Sequence, residues 1–403
     1  MENLHVTSNS GREIGTPAHM RALNQRLILS RLSEHGEASR PQLAAATGLS
    51  KPTVGQALAD LEAQGLVRPA GMGPSKPGRA PVVYEIVSDA GHVVGIDIGR
   101  QQIRVAVADL AGHIVARIDE PNRCRSGSAL LRTVLTCSER CVAKAGLAAE
   151  DVVVTVVGTP GVPDLEDGTV RRAPNLPGWE RRGLLHELIA GLDHSGSIVM
   201  VENDANLCAA GEHAAGAAVG VDTFACLTVG TGLGMGFVLD GQIYRGTRGA
   251  AGEISDLAFK VSGTPGPASA EAAVAGQAVV AAAHDAGLTD VRSAKAVFEL
   301  ARSGDPVALE VVAQETIRLA FVVSAIIAIL DPSLIILAGG IGSNADLLAA
   351  PIRTALAATT PVIPEIVAGQ LGEDAVLTGA IATGLATAQE LVFDTRTTNA
   401  TNQ

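Results

Sequence analysis

Hydrophobic positions along the chain follow two regimes. Before about residue 88 they recur three to four apart in short blocks, and from His92 onward they alternate or run continuously, as the strands of a larger α/β body do. In "MRALNQRLILSRLSEHG", Leu23, Leu27, Ile28 and Leu32 sit at helical spacing and Gly36 is a stop signal. A second short helix is predicted in "SRPQLAAATG". A third begins in "GLSKPTVGQALADLEAQGLV", with a turn at Gly48, an N-cap at Ser50 and Pro52 in the first turn, where its missing donor costs little. Val54, Leu58 and Leu61 form its apolar face, and Lys51, Thr53, Gln56 and Asp60 the opposite one.

Beyond His92, "HVVGIDIG", "QIRVAVADL" and "HIVARID" predict a meander, "SALLRTVLTCSERCVAKAG" a helix, and "DVVVTVVGTPG" a buried strand. "SIVMVENDANLCAAGEHAAGAA" predicts a strand whose polar end starts a helix. A second set repeats the order: hairpins in "TFACLTVGTGLGMGFVLDGQIY", helices through to Leu330, the strand "LIILAGG", a helix from about Ala345, the strand "PVIPEIVAG" and a helix from Ala375. Two sheet-and-helix lobes in succession imply a cleft between them, and ligands bind in such clefts.

Composition narrows the classes. The 403 residues are long enough for two or three domains, and 47% are apolar. The first residues show no secretory pattern. The apolar run Leu319 to Leu330 is shorter than the roughly 20 residues of a membrane span and reads as a buried helix. The five cysteines are odd in number and lack CxxC spacing, so neither a disulfide framework nor a zinc ribbon is indicated, and a reducing cytoplasm is expected. Cys137 and Cys141 share a helix face as small buried hydrophobes. The net charge is -12, but between Met20 and Ala80 eight basic residues face four acidic ones. A small module for a polyanion joined to an acidic body is the implied division.

Three short helices with a tight Gly turn before the third form a helix-turn-helix, whose last helix lies in a DNA major groove. The alternative is a three-helix dimerisation module. Arg40, Ser50, Lys51, Thr53 and Gln56 are the candidate DNA contacts. The segment "LVRPAGMGPSKPGRAPVVYEIV" has two strand-like pieces around a Gly/Pro-rich loop. It fits a basic wing carrying Lys76 and Arg79, or else an interdomain linker.

Three glycine-bearing turns face the expected cleft. "GIDIGRQQI" holds Asp97 and Gly99 before Arg100 and Gln101; "TVGTGLGMG" holds Thr228, Gly230, Thr231 and Gly232; "ILAGGIGS" holds Gly339 and Gly340. Glycine lets backbone amides approach a phosphate, but each turn also suits a closely packed hairpin or an ordinary strand-to-helix turn.

The order of these motifs resembles the ROK family of repressors, open reading frames and sugar kinases, from about Arg21 to Leu391. The residues that carry it are "GTPGVPDLEDGTVRRAPNLPGW", "VENDAN", "TVGTGLGMG", "GAAGEI" and "ILAGGI", together with a winged helix of the kind found in the family's repressor branch. The resemblance implies an α/β chain: an N-terminal winged helix-turn-helix followed by a two-lobed actin-like (ribonuclease H-like) sugar-kinase fold. The expected organisation is a disordered start over 1–19, a DNA-binding domain over 20–88, a sugar-binding domain over 91–393 and a disordered tail over 394–403. By resemblance Asp204 is the catalytic base of any surviving kinase, and Gly161, Asn175, Asn203, Asp204, Glu253, Asp256 and Glu271 are sugar-side. The nucleotide-side set is Asp97, Gly99, Thr228, Gly230, Thr231, Gly232, Gly339 and Gly340. The alternative is that Asn203 and Asp204 only cap the helix that starts near Asn206.

Two departures matter. The family's structural zinc is held by one histidine and three cysteines; here Asp256 stands at the histidine position and Ser262, Thr264 and Ser269 at the others, and hydroxyls are poor zinc ligands, so no metal is expected. Arg100 and Gln101 replace the small Gly-Thr of the kinase phosphate hairpin. The expectation is therefore a cytoplasmic, sugar-responsive regulator, a repressor of carbohydrate genes. It would be a homodimer or homotetramer on an inverted-repeat operator, with a sugar effector, no cofactor and no membrane partner. The alternative is an ATP-dependent sugar kinase using Mg.

Overall fold

The computed structural model describes residues 17–72, 81–173, 176–193, 196–259, 269–358 and 360–401. The chain opens with α1 (Pro17–His35), β1 (Ala38–Ser39), α2 (Arg40–Thr47), α3 (Lys51–Ala63), β2 (Val67–Met72) and β3 (Val82–Ile86), the strands forming a small sheet in the order β1-β3-β2. Ser50 caps α3 by accepting from the Thr53 amide at 3.3 Å, and Val54, Leu58 and Leu61 are buried. The apolar face of α1 is displaced from the expected one. Ile28, Leu29 and Leu32 are buried while Leu23 and Leu27 are exposed, because Gln25 instead turns inward to donate to Asp60 on α3 at 3.2 Å.

A 3-10 turn at Ser88–Ala90 leads into the first lobe. It comprises β4 (His92–Ile98), β5 (Gln102–Asp109), β6 (Ile114–Pro121), α4 (Gly127–Lys144), β7 (Val152–Thr159), β8 (Val162–Asp164), β9 (Thr169–Arg171), α5 (Leu184–Leu192), β10 (Ile198–Asn203) and α6 (Asp204–Ala215). The second lobe comprises β11 (Phe224–Val229), β12 (Leu233–Leu239), β13 (Gln242–Ile243), α7 (Ala270–Val274), α8 (Gly276–Asp285), α9 (Ala294–Arg302), α10 (Pro306–Leu330), β14 (Leu334–Ala338), α11 (Gly339–Gly342), α12 (Ala345–Leu356) and β15 (Glu365–Ala368). The chain then returns to the first lobe through α13 (Ala375–Thr401).

The two five-stranded sheets have one topology. In β10-β7-β4-β5-β6 and in β13-β12-β11-β14-β15, the first three strands in sequence form an antiparallel meander and the next two lie parallel beside the first. β4 is buried along its whole length, as its continuous apolar run predicts. The doubled topology sets the carboxyl ends of β4 and β11 at a common cleft, where two adjoining cavities lie.

One expectation is extended and another corrected. The apolar run ending at Leu330 belongs to a 25-residue helix, long and apolar enough by composition to cross a membrane, as is the segment 372–396. Each is about half buried within the protein, and α10 supplies Leu319, Val322, Val323 and Ile326 to the core of the second lobe. Residues 394–401, expected to form part of a disordered tail, continue α13. Phe393 is buried there in a core shared with the winged helix, and Arg396 bonds to its backbone.

Candidate functional site

A cavity of about 480 Å³ opens between the lobes, lined by Gly161, Arg172, Asn203, Asp204, Glu253 and Glu271, among others. Asn203 ends β10 and caps α6, accepting from the amides of Ala205 at 2.9 Å and Asn206 at 3.2 Å. Its amide nitrogen donates to the Gly161 carbonyl at 3.0 Å. The capping role weighed from sequence is therefore real for Asn203, which also ties the strand end to the Gly161 turn. Gly161 has φ +89° and a Cβ there would lie 2.4 Å from the Arg171 carbonyl, so only glycine fits.

Asp204 follows at the first turn of α6 and faces the cavity. Burial pushes its carboxyl up to about 6, opposed by the Ala205 amide and reinforced by Glu253. Burial likewise raises Glu253, with Arg172 opposing. Glu271 lies on α7 and accepts from the Leu233 amide at 3.0 Å, which ties that helix to the start of β12. Ser269 caps α7 through the Ala272 amide. Asn175, Ser262 and Thr264 lie outside the described residues.

Arg172 is the residue that the sequence reading missed. It adopts a left-handed backbone (φ +62°) after β9 in the first lobe, and its guanidinium reaches Glu253 at 3.5 Å and Asp256, both in the second lobe. A second pair, Arg245 to Glu202, crosses the same cleft. Asp256 is thus spent on an ion pair with a guanidinium. At the positions of the family's zinc ligands stand Asp256, Ser262, Thr264 and Ser269, a set with no thiolate and no imidazole, which fits zinc poorly. Arg172 lies within "GTPGVPDLEDGTVRRAPNLPGW", and a cation there beside the carboxylates of "VENDAN" and "GAAGEI" is the signal the sequence carries for it.

The larger cavity, about 880 Å³, adjoins this site and shares Arg100, Asp204, Thr228, Gly230, Thr231 and Gly339 with it. Asp97 is buried at its floor and bonded by Arg104 Nη1 at 3.1 Å, while Arg104 also reaches Glu373. Burial still pushes the Asp97 carboxyl up to about 7, with Arg104 opposing. Mg²⁺ in phosphoryl transfer is held by ionised carboxylates, so a carboxyl already facing a guanidinium fits it poorly. Arg100 is exposed on the β4–β5 hairpin and lines both cavities. Gly99 is required there: its amide donates to Gln102 O at 2.9 Å, and a Cβ would lie 2.9 Å from that oxygen.

The glycines divide by role. A Cβ on Gly234 would meet Thr228 Oγ1 at 2.8 Å, on Gly236 the Ala205 carbonyl at 2.3 Å, and on Gly339 the Val229 carbonyl at 2.6 Å, so those three serve close packing. Gly340 has nothing within 4 Å and Gly230 meets only the Gly340 amide at 3.6 Å; these two leave backbone open to the cavity. Gly232 and Thr231 line the smaller cavity beside them.

On the winged helix, Lys51 and Gln56 project from α3, with Gln56 steadied by Asp60 at 2.8 Å. Ser50 and Thr53 hydroxyls bond each other at 2.8 Å within the cap. Arg40 donates to the Tyr84 hydroxyl at 2.7 Å and stacks on its ring. Lys76 and Arg79 lie outside the described residues, between β2 and β3 of the wing.

Comparison with known proteins agrees with this architecture. The ROK family profile matches residues 93–386 and that of the MarR family residues 21–71. A xylose repressor of Caldicellulosiruptor bescii is 30% identical over 244 residues, 60% of each chain, so this chain spans under two thirds of that relative's length. Among solved structures, a ROK family transcriptional regulator, homologue of the E. coli MLC protein, aligns over 94% of this chain and 99% of its own, with TM-score 0.76 at 20% identity. The ROK hexokinase of Thermus thermophilus aligns over 74% of this chain and 99% of its own, with TM-score 0.63 at 29% identity.

Proposed function

The chain belongs to the ROK family, and we propose that it is a sugar-responsive transcriptional repressor of carbohydrate uptake or catabolism genes, acting in the cytoplasm. The observation that carries this reading is one hydrophobic core shared between the winged helix (Ile28, Leu58, Leu61) and the first lobe (Val93, Ala108, Val154), so the DNA-binding module is built onto the body that bears Asn203 and Asp204. Asp204, Glu253 and Glu271 supply acceptors for the hydroxyls of a sugar held between the lobes. A ligand that prefers one degree of closure shifts the population of DNA-binding states by that difference in affinity alone. Two winged helices on a two-fold axis require an inverted-repeat operator, so the working unit is a homodimer or a pair of them. The likeness to a xylose repressor supports a pentose among the effectors.

Gel-shift binding to DNA from upstream of the protein's own gene, repeated with D-xylose, D-glucose and their phosphates, tests the reading. A shift altered by one of these sugars supports it. A shift indifferent to all of them removes the sensor half of the proposal.

A second reading has its own observation. Gly230 and Gly340 leave backbone open on the larger cavity beside Asp204, as an ATP-dependent sugar kinase would need. Arg104 on Asp97 opposes it. ADP release with D-glucose or D-xylose that disappears in Asp204→Asn would establish the kinase.

A further inference from the structure

The last helix joins the cleft to the recognition helix. α13 is 27 residues long, about 40 Å at 1.5 Å per residue. Its start at Ala375 lines the larger cavity. It then packs along α6, the helix that Asp204 begins, at a contact so close that a Cβ on Gly379 would lie 1.9 Å from the Leu207 carbonyl and one on Gly211 2.2 Å from that of Ala375. Ala380 and Ile381 pack on the first sheet, and a Cβ on Gly95 of β4 would meet Ile381 at 2.8 Å.

Further along, Gln389, Phe393 and Arg396 fall at i, i+4 and i+7, on one face. That face meets the winged helix. Gln389 donates to Ser33 of α1 at 2.7 Å and to the Leu110 carbonyl of the first lobe at 3.0 Å, and the Arg26 guanidinium lies over the Phe393 ring. Arg396 Nη1 donates to the carbonyls of Gln64 at 3.2 Å and Gly65 at 2.7 Å, and Nη2 reaches Ala90 O at 3.4 Å. Gln64 is the C-cap of α3 and Ala90 closes the turn between the two domains.

A helix end leaves carbonyls without intrahelical donors, and a cation there is favoured by the helix dipole as well. Gly65 is shaped to this contact. Its φ is +67°, and a Cβ would stand 3.0 Å from Arg396 Nη1. One guanidinium therefore fixes the end of the recognition helix and the interdomain turn to a helix whose other end borders the ligand cleft.

We propose that Arg396 is a positioning residue for DNA recognition, setting the orientation of α3 on the first lobe without touching DNA itself. This rests on the repressor reading above. The winged helix and first lobe then move as one body, and closure of the second lobe is felt relative to that body.

The test uses the full-length protein, its R396Q and Arg396→Lys variants, the upstream DNA fragment, and D-xylose titrated against the fluorescence of Trp179, the only tryptophan in the chain. R396Q is expected to bind the fragment at least tenfold more weakly than the native chain. The D-xylose titration should be unchanged, and Arg396→Lys should recover most of the loss, because a lysine keeps the charge and one donor. Native-like DNA binding by R396Q would overturn the proposal, as would an equal fall in DNA and sugar affinity, which marks general loosening. If the native chain binds no upstream DNA, the repressor reading fails, and hydrogen exchange decides Arg396 separately. Faster exchange at residues 61–67 in R396Q, with α4 unchanged, supports the positioning role; unchanged exchange overturns it.

Discussion

Arg104 Nη1 donates to Asp97 Oδ2 at 3.1 Å across directly opposed positions of β5 and β4, at the floor of the larger cavity. Asp97 carries a carboxyl pushed up to about 7, above its unfolded value, so its contribution to stability is full at low pH and is lost as pH rises through about 7. Removing the guanidinium in Arg104→Gln pushes that carboxyl higher still and steepens the loss. Urea unfolding should show R104Q destabilised by about 3 kcal/mol at pH 8, the scale of a broken buried pair, and by clearly less at pH 6. An equal deficit at both pH values would mean that the loss is packing alone.

Asp204 should make sugar binding depend on pH. Its carboxyl titrates at about 6 and accepts hydroxyl donors best when ionised. D-xylose affinity, read from Trp179, should rise roughly tenfold between pH 5 and 7, about one pKa unit of linkage. D204N should bind weakly and without that slope.

The Arg172 pairs across the cleft are half exposed, so each is worth less than about 1 kcal/mol to stability. Their effect should be on geometry. R172Q should melt near the native temperature yet show a larger radius of gyration in solution without sugar, because one of the two described interlobe ion-pair sites is gone. An unchanged radius would leave Arg245 and Glu202 as the sufficient tie.

Glu315 is buried on α10 with neither carboxylate oxygen hydrogen-bonded, and Arg318 approaches it at 3.6 Å. Burial pushes its carboxyl up to about 8, so its stabilising contribution is full below about pH 4.5 and is lost by about pH 8. Glu315→Gln should flatten that slope and raise the melting temperature at pH 8 relative to pH 5. A parallel pair of pH curves would show that Arg318 keeps Glu315 ionised throughout.

On α3, Lys51→Ala should weaken binding to all DNA sequences alike and lower the salt slope by about one, as loss of a phosphate contact does. Gln56→Ala should instead relax preference at one base position by about 1–3 kcal/mol. A uniform effect from Gln56 would assign it to the backbone, through its tie to Asp60.

The sequence by itself determined most of the elements and their order, though not the β8–β9 hairpin or α5. The Ser50 cap, the inward stripe of Val54, Leu58 and Leu61, the continuous burial of β4 and the doubled lobe pattern are local signals, set by periods of two and 3.6 residues and by caps within four residues. The motifs also placed Asn203, Asp204, Glu253 and Glu271 around one cavity, because each sits at a strand end, a turn or a helix start that the fold directs there. Tertiary structure alone decided what those groups meet. Arg172 lies 81 positions from Glu253, Arg104 reaches Glu373 from 269 positions away, and Arg396 lies 331 from Gly65. No periodicity reaches that far. Such pairings are fixed by which lobe each strand joins and by the return of α13 to the first lobe, and they determine whether a carboxylate at the cleft is available to a ligand or already held by the protein.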